Sequence, residues 1–272
     1  MGDGHRLHPC QNGKTPATSR RKGCEGDMTG HPIRENPEQY MQELRDWLQQ
    51  TEDVPLEDMD AFFTQRVGMY EEHMSRWAPA YRALAALVPE GTATLLDLGC
   101  GTGLELDELF VRFPDLEVMG IDLSAAMLAQ LRDKHPDRRL TLCCGDYFQT
   151  DWPKETFDAV ISFETLHHFS PDRKRELFRN ILKGLRPGGI YLEGDYLACC
   201  DEEEQLLAQA AAKRRNRQGI APEAFVHFDT PLTAPREMQL LREAGFLSVD
   251  MVDCIEGACI LQAVRPWTLG SP

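Results

Sequence analysis

The chain has 272 residues, 42% of them hydrophobic and 27% charged, and its 29 basic against 44 acidic side chains leave a formal net charge of −15. That length and composition suit one large core with or without a lid, and exclude a disordered, collagen-like or disulfide-miniprotein class. The acidic balance excludes holding a polynucleotide by bulk electrostatics, and no apolar run approaches the ~18 residues of a membrane span.

Residues 1–27 contain no large apolar side chain except Leu7 and no apolar run of the secretory type. They cannot bury enough surface to offset ordering entropy, so a disordered or extraneous tail is expected. Residues 28–90 read as a helical lid. Tyr40, Met41, Leu44, Trp47 and Leu48 share one helical face, Phe62, Phe63, Val67, Tyr70 and Met74 follow beyond Pro55, and Ala83–Val88 closes the region.

From 91 onward, strand and helix signals alternate. Strands are predicted at Thr94–Leu98, Glu117–Ile121, Leu140–Cys144, Asp158–Phe163 and Ile190–Tyr196, with the nearly continuous apolar character of strands buried on both faces. Between them lie helices from about Leu104 to Phe113, after Ser124 as N-cap, and around Leu177–Leu185 with a stop at Pro187-Gly188-Gly189. Such alternation implies a parallel α/β sheet. Residues 197–232 break the rhythm as an insert with an acidic start and a basic cluster, Lys213-Arg214-Arg215 with Arg217. A helix at Ala234–Ala244 and two strands, Ser248–Cys254 and Cys259–Val264, end the chain. A short turn joins those strands, so they must be antiparallel.

Nine cysteines occur without a C-x-x-C, two pairs being adjacent in sequence. That pattern is expected of reduced thiols in a cytoplasmic protein and predicts no metal site.

The chemistry concentrates at strand ends. Leu95-Leu96-Asp97-Leu98-Gly99-Cys100-Gly101-Thr102-Gly103 closes the first strand and opens a helix. Glycines there let the chain turn sharply and let a ligand approach the backbone, at the carboxyl edge where open α/β sheets bind ligands. A dinucleotide fingerprint would need glycine where Leu104 stands. Asp122 ends the second strand, where a carboxylate can accept from both hydroxyls of a ribose.

The G-x-G-x-G spacing with Asp97 two residues ahead resembles motif I of the class I S-adenosylmethionine-dependent methyltransferases, and the resemblance extends from about Phe62 to Val264. It implies a Rossmann-like seven-stranded, mostly parallel sheet with a C-terminal antiparallel hairpin, and S-adenosylmethionine as cofactor. It further implies cofactor contacts from Asp97, Gly99, Cys100, Gly101 and Gly103. Asp122 would grip the ribose, Leu123 and Met127 would pack on adenine, and Asp146 would accept from the adenine amino group with Tyr147 nearby. Phe163 and Glu164 would border the cofactor. Tyr70-Glu71-Glu72-His73-Met74 resembles the lid segment that folds over the cofactor, with Tyr70 in contact.

Leu166-His167-His168 is similar to small-molecule methyltransferases of the ubiquinone-biosynthesis type. Either imidazole can serve as general base near neutral pH, His168 ahead of His167. Arg214, Arg215 and His227, in the insert, are the substrate candidates. The reading is methyl transfer to a small molecule by a cytoplasmic enzyme, compatible with a homodimer and without membrane or bulk nucleic-acid contact. The segment after the fifth strand also resembles the carboxy-S-adenosylmethionine synthases, which makes cofactor modification the second reading. A non-catalytic cofactor-binding protein is the third.

Overall fold

The computed structural model describes residues 33–34, 36–221, 224–255 and 257–267. The expectation of a tail at 1–27 falls outside these residues, as does Glu256 of the predicted terminal turn.

Three helices lead in: α1 (Pro37–Gln50), α2 (Met59–Met74) and α3 (Ala78–Leu87). Asn36 caps α1 by accepting from the Gln39 N–H, and Asp58 caps α2 by accepting from the Ala61 N–H. The sheet then begins: β1 (Thr94–Leu98), α4 (Leu104–Arg112), β2 (Glu117–Asp122), α5 (Ala125–Lys134), β3 (Arg139–Cys144), β4 (Phe157–Phe163), α6 (Pro171–Gly184), β5 (Leu185–Tyr196), α7 (Asp201–Gln218), α8 (Ala234–Ala244), β6 (Ser248–Ile255) and β7 (Ala258–Val264). The elements match the predicted ones to within a few residues. The clearest difference is at α6, which ends at Gly184, ahead of the predicted stop at Pro187-Gly188-Gly189; those residues lie inside β5. The Gly184 Cα faces the Trp152 ring so closely that a Cβ there would lie 2.8 Å from the indole nitrogen, and the chain turns at that contact.

The seven strands run in the order β3-β2-β1-β4-β5-β7-β6. The pairs β1–β2, β2–β3, β1–β4 and β4–β5 are parallel; β7 runs against both β5 and β6. The order reverses between β1 and β4, so their carboxyl ends part and leave a crevice, the place where sheets of this kind accept ligands.

Two apolar layers cover the sheet. On one face α6 and α8 bury Leu177, Phe178, Ile181, Leu240 and Leu241 against Tyr191 and Val160. On the other, α3 and α4 bury Leu84, Leu106 and Leu109 against Leu95 and Ile161. A third, smaller cluster joins α1 to the insert: Tyr40, Met41 and Leu44 pack on Tyr196, Leu207 and Phe228. There the hydroxyls of Tyr40 and Tyr196 both donate to Glu203. The N-terminal helices and the insert therefore form one cover over the strand ends. Among the described residues no helix is long and apolar enough to cross a membrane.

Candidate active site

The loop after β1 folds back onto β2. The N–H groups of Gly99 and Cys100 both donate to the Ile121 carbonyl, at 2.8 and 3.2 Å. Gly101 and Gly103 hold φ of +47° and +73°, the left-handed region that glycine enters without strain. Space reinforces the requirement. A Cβ on Gly103 would lie 2.5 Å from the Leu131 Cδ1, and one on Gly101 would lie 3.4 Å from the Tyr70 hydroxyl. The Cys100 thiol is buried against Gly120 of β2 and serves as packing.

Asp122 is tied to this loop. Its Oδ2 accepts from the Gly101 N–H at 2.9 Å and its Oδ1 from the Ser124 N–H at 2.8 Å. Burial pushes its carboxyl up, and the two amides oppose that shift. Each oxygen keeps a second lone pair for a further donor. Beyond it, Leu123 is half-buried and Met127 buried at the first turn of α5.

Asp97 lies at the floor, fully buried, with neither oxygen receiving a hydrogen bond from an N–H or hydroxyl. Its neighbour is the Glu105 carboxyl. Burial and Glu105 together hold the Asp97 carboxyl well above the usual range, and burial raises Glu105 to about 7. Two buried carboxyls so placed cannot both ionise without a cation.

Asp146 opens the loop after β3. Its Oδ1 accepts from the Phe148 N–H at 2.9 Å, and its Oδ2 meets Arg173 at 3.4 Å. The neighbouring Tyr147 is buried with its hydroxyl 3.2 Å from the Thr165 Oγ1. Phe163 is buried against Tyr81, ring centroids 4.4 Å apart, so at this strand end the residue that reaches the edge is Glu164. Glu164 holds φ of +50°, an uncommon state for a side-chain-bearing residue and one that concentrates at functional sites. Over the crevice, α2 sets Tyr70 against Gly101, with Phe63 edge-on to it at 6.1 Å. Burial, with Glu105, Asp122 and Glu164 nearby, holds the Tyr70 hydroxyl firmly protonated.

Residues 95–189 match the methyltransferase domain model. A carboxy-S-adenosyl-L-methionine synthase from Campylobacter fetus is 26% identical over 73% of this chain and 91% of its own length. The trans-aconitate 2-methyltransferase of Deinococcus radiodurans is 42% identical over 43% of each chain. Human N-acetylserotonin methyltransferase, solved with S-adenosylmethionine, superposes with a TM-score of 0.55 at 19% identity, covering 75% of this chain and 55% of that one, a likeness of fold. The chain therefore spans less than two thirds of both named methyltransferases. Together the domain match and these relatives support a class I S-adenosylmethionine-dependent methyltransferase.

The cofactor of this methyltransferase fits what the site offers. Asp97, buried with neither oxygen accepting from an N–H or hydroxyl, suits an amino-acid ammonium. Asp122 retains acceptor capacity for a sugar.

The two histidines sit in one short turn after β4 but in opposite states. His167 Nδ1 is 2.5 Å from the Asp195 Oδ1, and its Nε2 is 3.6 Å from the Asp229 Oδ1. Burial opposes its charge, yet the two carboxylates win and raise it to about 9. His168 is held well below the usual value by burial, with His167 and His227 adding to the effect. A ring that is protonated at pH 7 makes a poor base, so of the pair it is His168 that can accept a proton.

His227 joins the same cluster. Its ring stacks on Phe62 at 3.6 Å and stands 5.0 Å from His168, and burial lowers it to about 4. Arg214 is elsewhere: it is buried over Trp47 and Phe228 and donates to the Thr51 Oγ1 at 2.7 Å. Arg215 donates to the carbonyls of Ala221 and Ala224 at 2.8 Å. The sequence reading missed Asp195 and Glu105. A signal existed for the first, because Glu193 and Asp195 are two acids at i, i+2 in an otherwise apolar strand and so share one face.

Proposed function

We propose that this methyltransferase passes the methyl group to a small-molecule acceptor held between α2 and the 226–230 segment, above the end of β4. The observation that carries the reading is the convergence of the lid with that segment: Phe62 lies flat on His227 while Tyr70, two turns on, covers Gly101. A lid closed over the nucleoside excludes water and orients the acceptor along the S–CH3 bond, which is most of what this reaction asks of a protein. Gly99, Gly101, Asp97, Asp122, Leu123, Met127, Asp146, Tyr147 and Tyr70 are the proposed cofactor contacts. Where the acceptor carries a proton, His168 is the proposed base. Among the described cysteines no disulfide is formed, which supports a reducing, cytoplasmic setting.

A second reading, carboxylation of the cofactor itself, has the longer alignment behind it. It would need a cation for the added carboxylate. In the basic cluster of the resembling segment, Arg214 and Arg215 already have Thr51 and two carbonyls as partners, and Lys213 and Arg217 both pair with Glu52. Methyl transfer is therefore the preferred reading.

Calorimetric titration with S-adenosylhomocysteine, followed by turnover with a panel of small carboxylic acids, phenols and amines, tests the proposal. Binding plus product from one acceptor class supports it. No binding at high micromolar concentration rejects it, and a carboxylated nucleoside co-purifying with the protein would transfer the assignment to the second reading.

A further inference from the structure

The histidine cluster does more than supply one base. His167 Nε2 and His168 Nδ1 lie 3.6 and 3.4 Å from the same Asp229 Oδ1, and the three atoms all fall within 4.8 Å of one another. Zinc bonds to imidazole nitrogen and carboxylate oxygen are about 2.0–2.2 Å long, so the edge of a tetrahedral site is about 3.3–3.5 Å. Each nitrogen already stands at about that separation from the Asp229 oxygen.

The surroundings have the form of a metal site's outer layer. Asp195 accepts from Nδ1–H of His167, and it is itself fixed by the N–H groups of Leu166 and Tyr196, both at 2.8 Å. That arrangement orients the ring and turns Nε2 toward Asp229, the carboxylate–histidine–metal order. The Thr230 N–H and hydroxyl donate to the His167 carbonyl, at 2.7 and 3.2 Å, which clamps the Asp229 segment beside the histidines. Asp229 and His167 are 7% and 5% exposed, so neither is a casual surface group. The other set of three, Glu164, His167 and Asp195, would use Nδ1 of His167, which Asp195 holds at 2.5 Å; His168 Nδ1 has only a 3.4 Å contact with the Phe228 carbonyl, which a metal would displace.

We propose that His167, His168 and Asp229 bind one divalent ion of the zinc type, with Asp195 as the positioning residue and a fourth position left to water or to an acceptor oxygen. Two nitrogens and one oxygen favour zinc and its neighbours over magnesium or calcium. The proposal goes beyond the methyl-transfer reading, and metal occupancy and base catalysis exclude each other at His168. An imidazole bound through Nδ1 keeps its proton on Nε2 and can take no other.

The test is zinc titration of chelator-treated full-length protein by calorimetry, repeated with cobalt(II) and followed by visible absorption. One equivalent per chain with the intense bands of tetrahedral cobalt is expected. D229N and H168Q should each weaken zinc binding about tenfold or more, while C143S/C144S, which removes the exposed Cys144 thiol and its neighbour, should leave it unchanged. Circular dichroism of each metal-free variant verifies folding; if one variant fails to fold, the other decides. No stoichiometric binding, or binding that persists undiminished in the folded D229N or H168Q protein, overturns the proposal. S-adenosylhomocysteine titrated into the same samples separates the two readings: nucleoside binding without zinc binding sinks only the metal site, and zinc binding without nucleoside binding sinks only the cofactor reading.

Discussion

The Gly101 N–H donates to the Asp122 Oδ2 at 2.9 Å, so the glycine turn after β1 and the acid at the end of β2 form one hydrogen-bonded unit. Neither is a free-standing motif. The turn aims its backbone only while the carboxylate holds it, and the carboxylate faces the crevice only while the turn and Ser124 hold it.

Asp122→Ala should therefore do two things. It removes an acceptor for the nucleoside sugar and leaves the Gly101 and Ser124 N–H groups without theirs. Each lost hydrogen bond to a charged group is worth roughly 1–3 kcal/mol. S-adenosylhomocysteine should bind about ten- to a hundredfold more weakly by calorimetry. An unchanged affinity would remove Asp122 from the cofactor site.

Gly103→Ala tests the loop by sterics alone. The residue sits at φ +73° with Leu131 where a Cβ would go. The left-handed state costs a side-chain-bearing residue roughly 1–2 kcal/mol, and displacing Leu131, a fully buried core residue, adds to that. Urea unfolding should show a loss of at least about 1 kcal/mol. Gly91→Ala is the useful contrast. It shares a positive φ, +82°, but nothing lies within 4 Å of the added methyl, so only the backbone cost should appear.

Much of this architecture is legible in the amino-acid order, because its signals are local. The strands of the buried sheet read as apolar runs, Ser124 and Gly245 mark helix ends, and a short turn forces the antiparallel pair. The glycine spacing and Asp122 are read the same way. The histidine cluster is not, since His167, Asp195 and Asp229 meet only through the β4–β5 pairing and the return of the insert. Arg214 shows the opposite failure. Its basic neighbours suggest an exposed anion site, but the packing of α1 against α7 turns it inward onto Trp47 and Phe228. Charge patterns state that a group must be solvated or paired, and only the tertiary fold states with what.

The Asp97–Glu105 pair predicts a pH dependence. In the folded protein Glu105 titrates at about 7, whereas its ordinary value is 4.5. Between these values the unfolded chain has released the proton and the folded chain still holds it, so stability falls as pH rises through that window. Glu105→Gln removes the titration. The wild type should lose stability relative to this variant from pH 4.5 to 7, by on the order of 1–3 kcal/mol, in denaturant titrations at stepped pH. The same pair predicts proton release when the cofactor ammonium arrives, visible as a buffer-dependent binding enthalpy. Equal pH slopes in the two proteins would show that the pair is already ionised.

Lys174 and Glu237, both with no exposed side-chain surface, join α6 to α8 through a 2.7 Å ion pair. Burial works against the Lys174 charge, but Glu237, with Glu193 and Asp195 beyond it, raises its ammonium above the ordinary value. Two terms oppose each other here. Desolvating both ions costs about as much as their attraction returns, so the intact pair adds little net stability. Removing one partner leaves the other charge buried without compensation, which costs roughly 3–5 kcal/mol. Lys174→Met should thus be strongly destabilising, the more so because Glu193 loses its nearest cation as well. Lys174→Met with Glu237→Leu should recover most of the loss, and the recovery, read as the coupling energy of a double-mutant cycle in urea, isolates the pair. If the single and double variants were equally unstable, the ion pair would be incidental to how α6 and α8 dock. The cause would then be the packing around Leu177, Phe178 and Leu241.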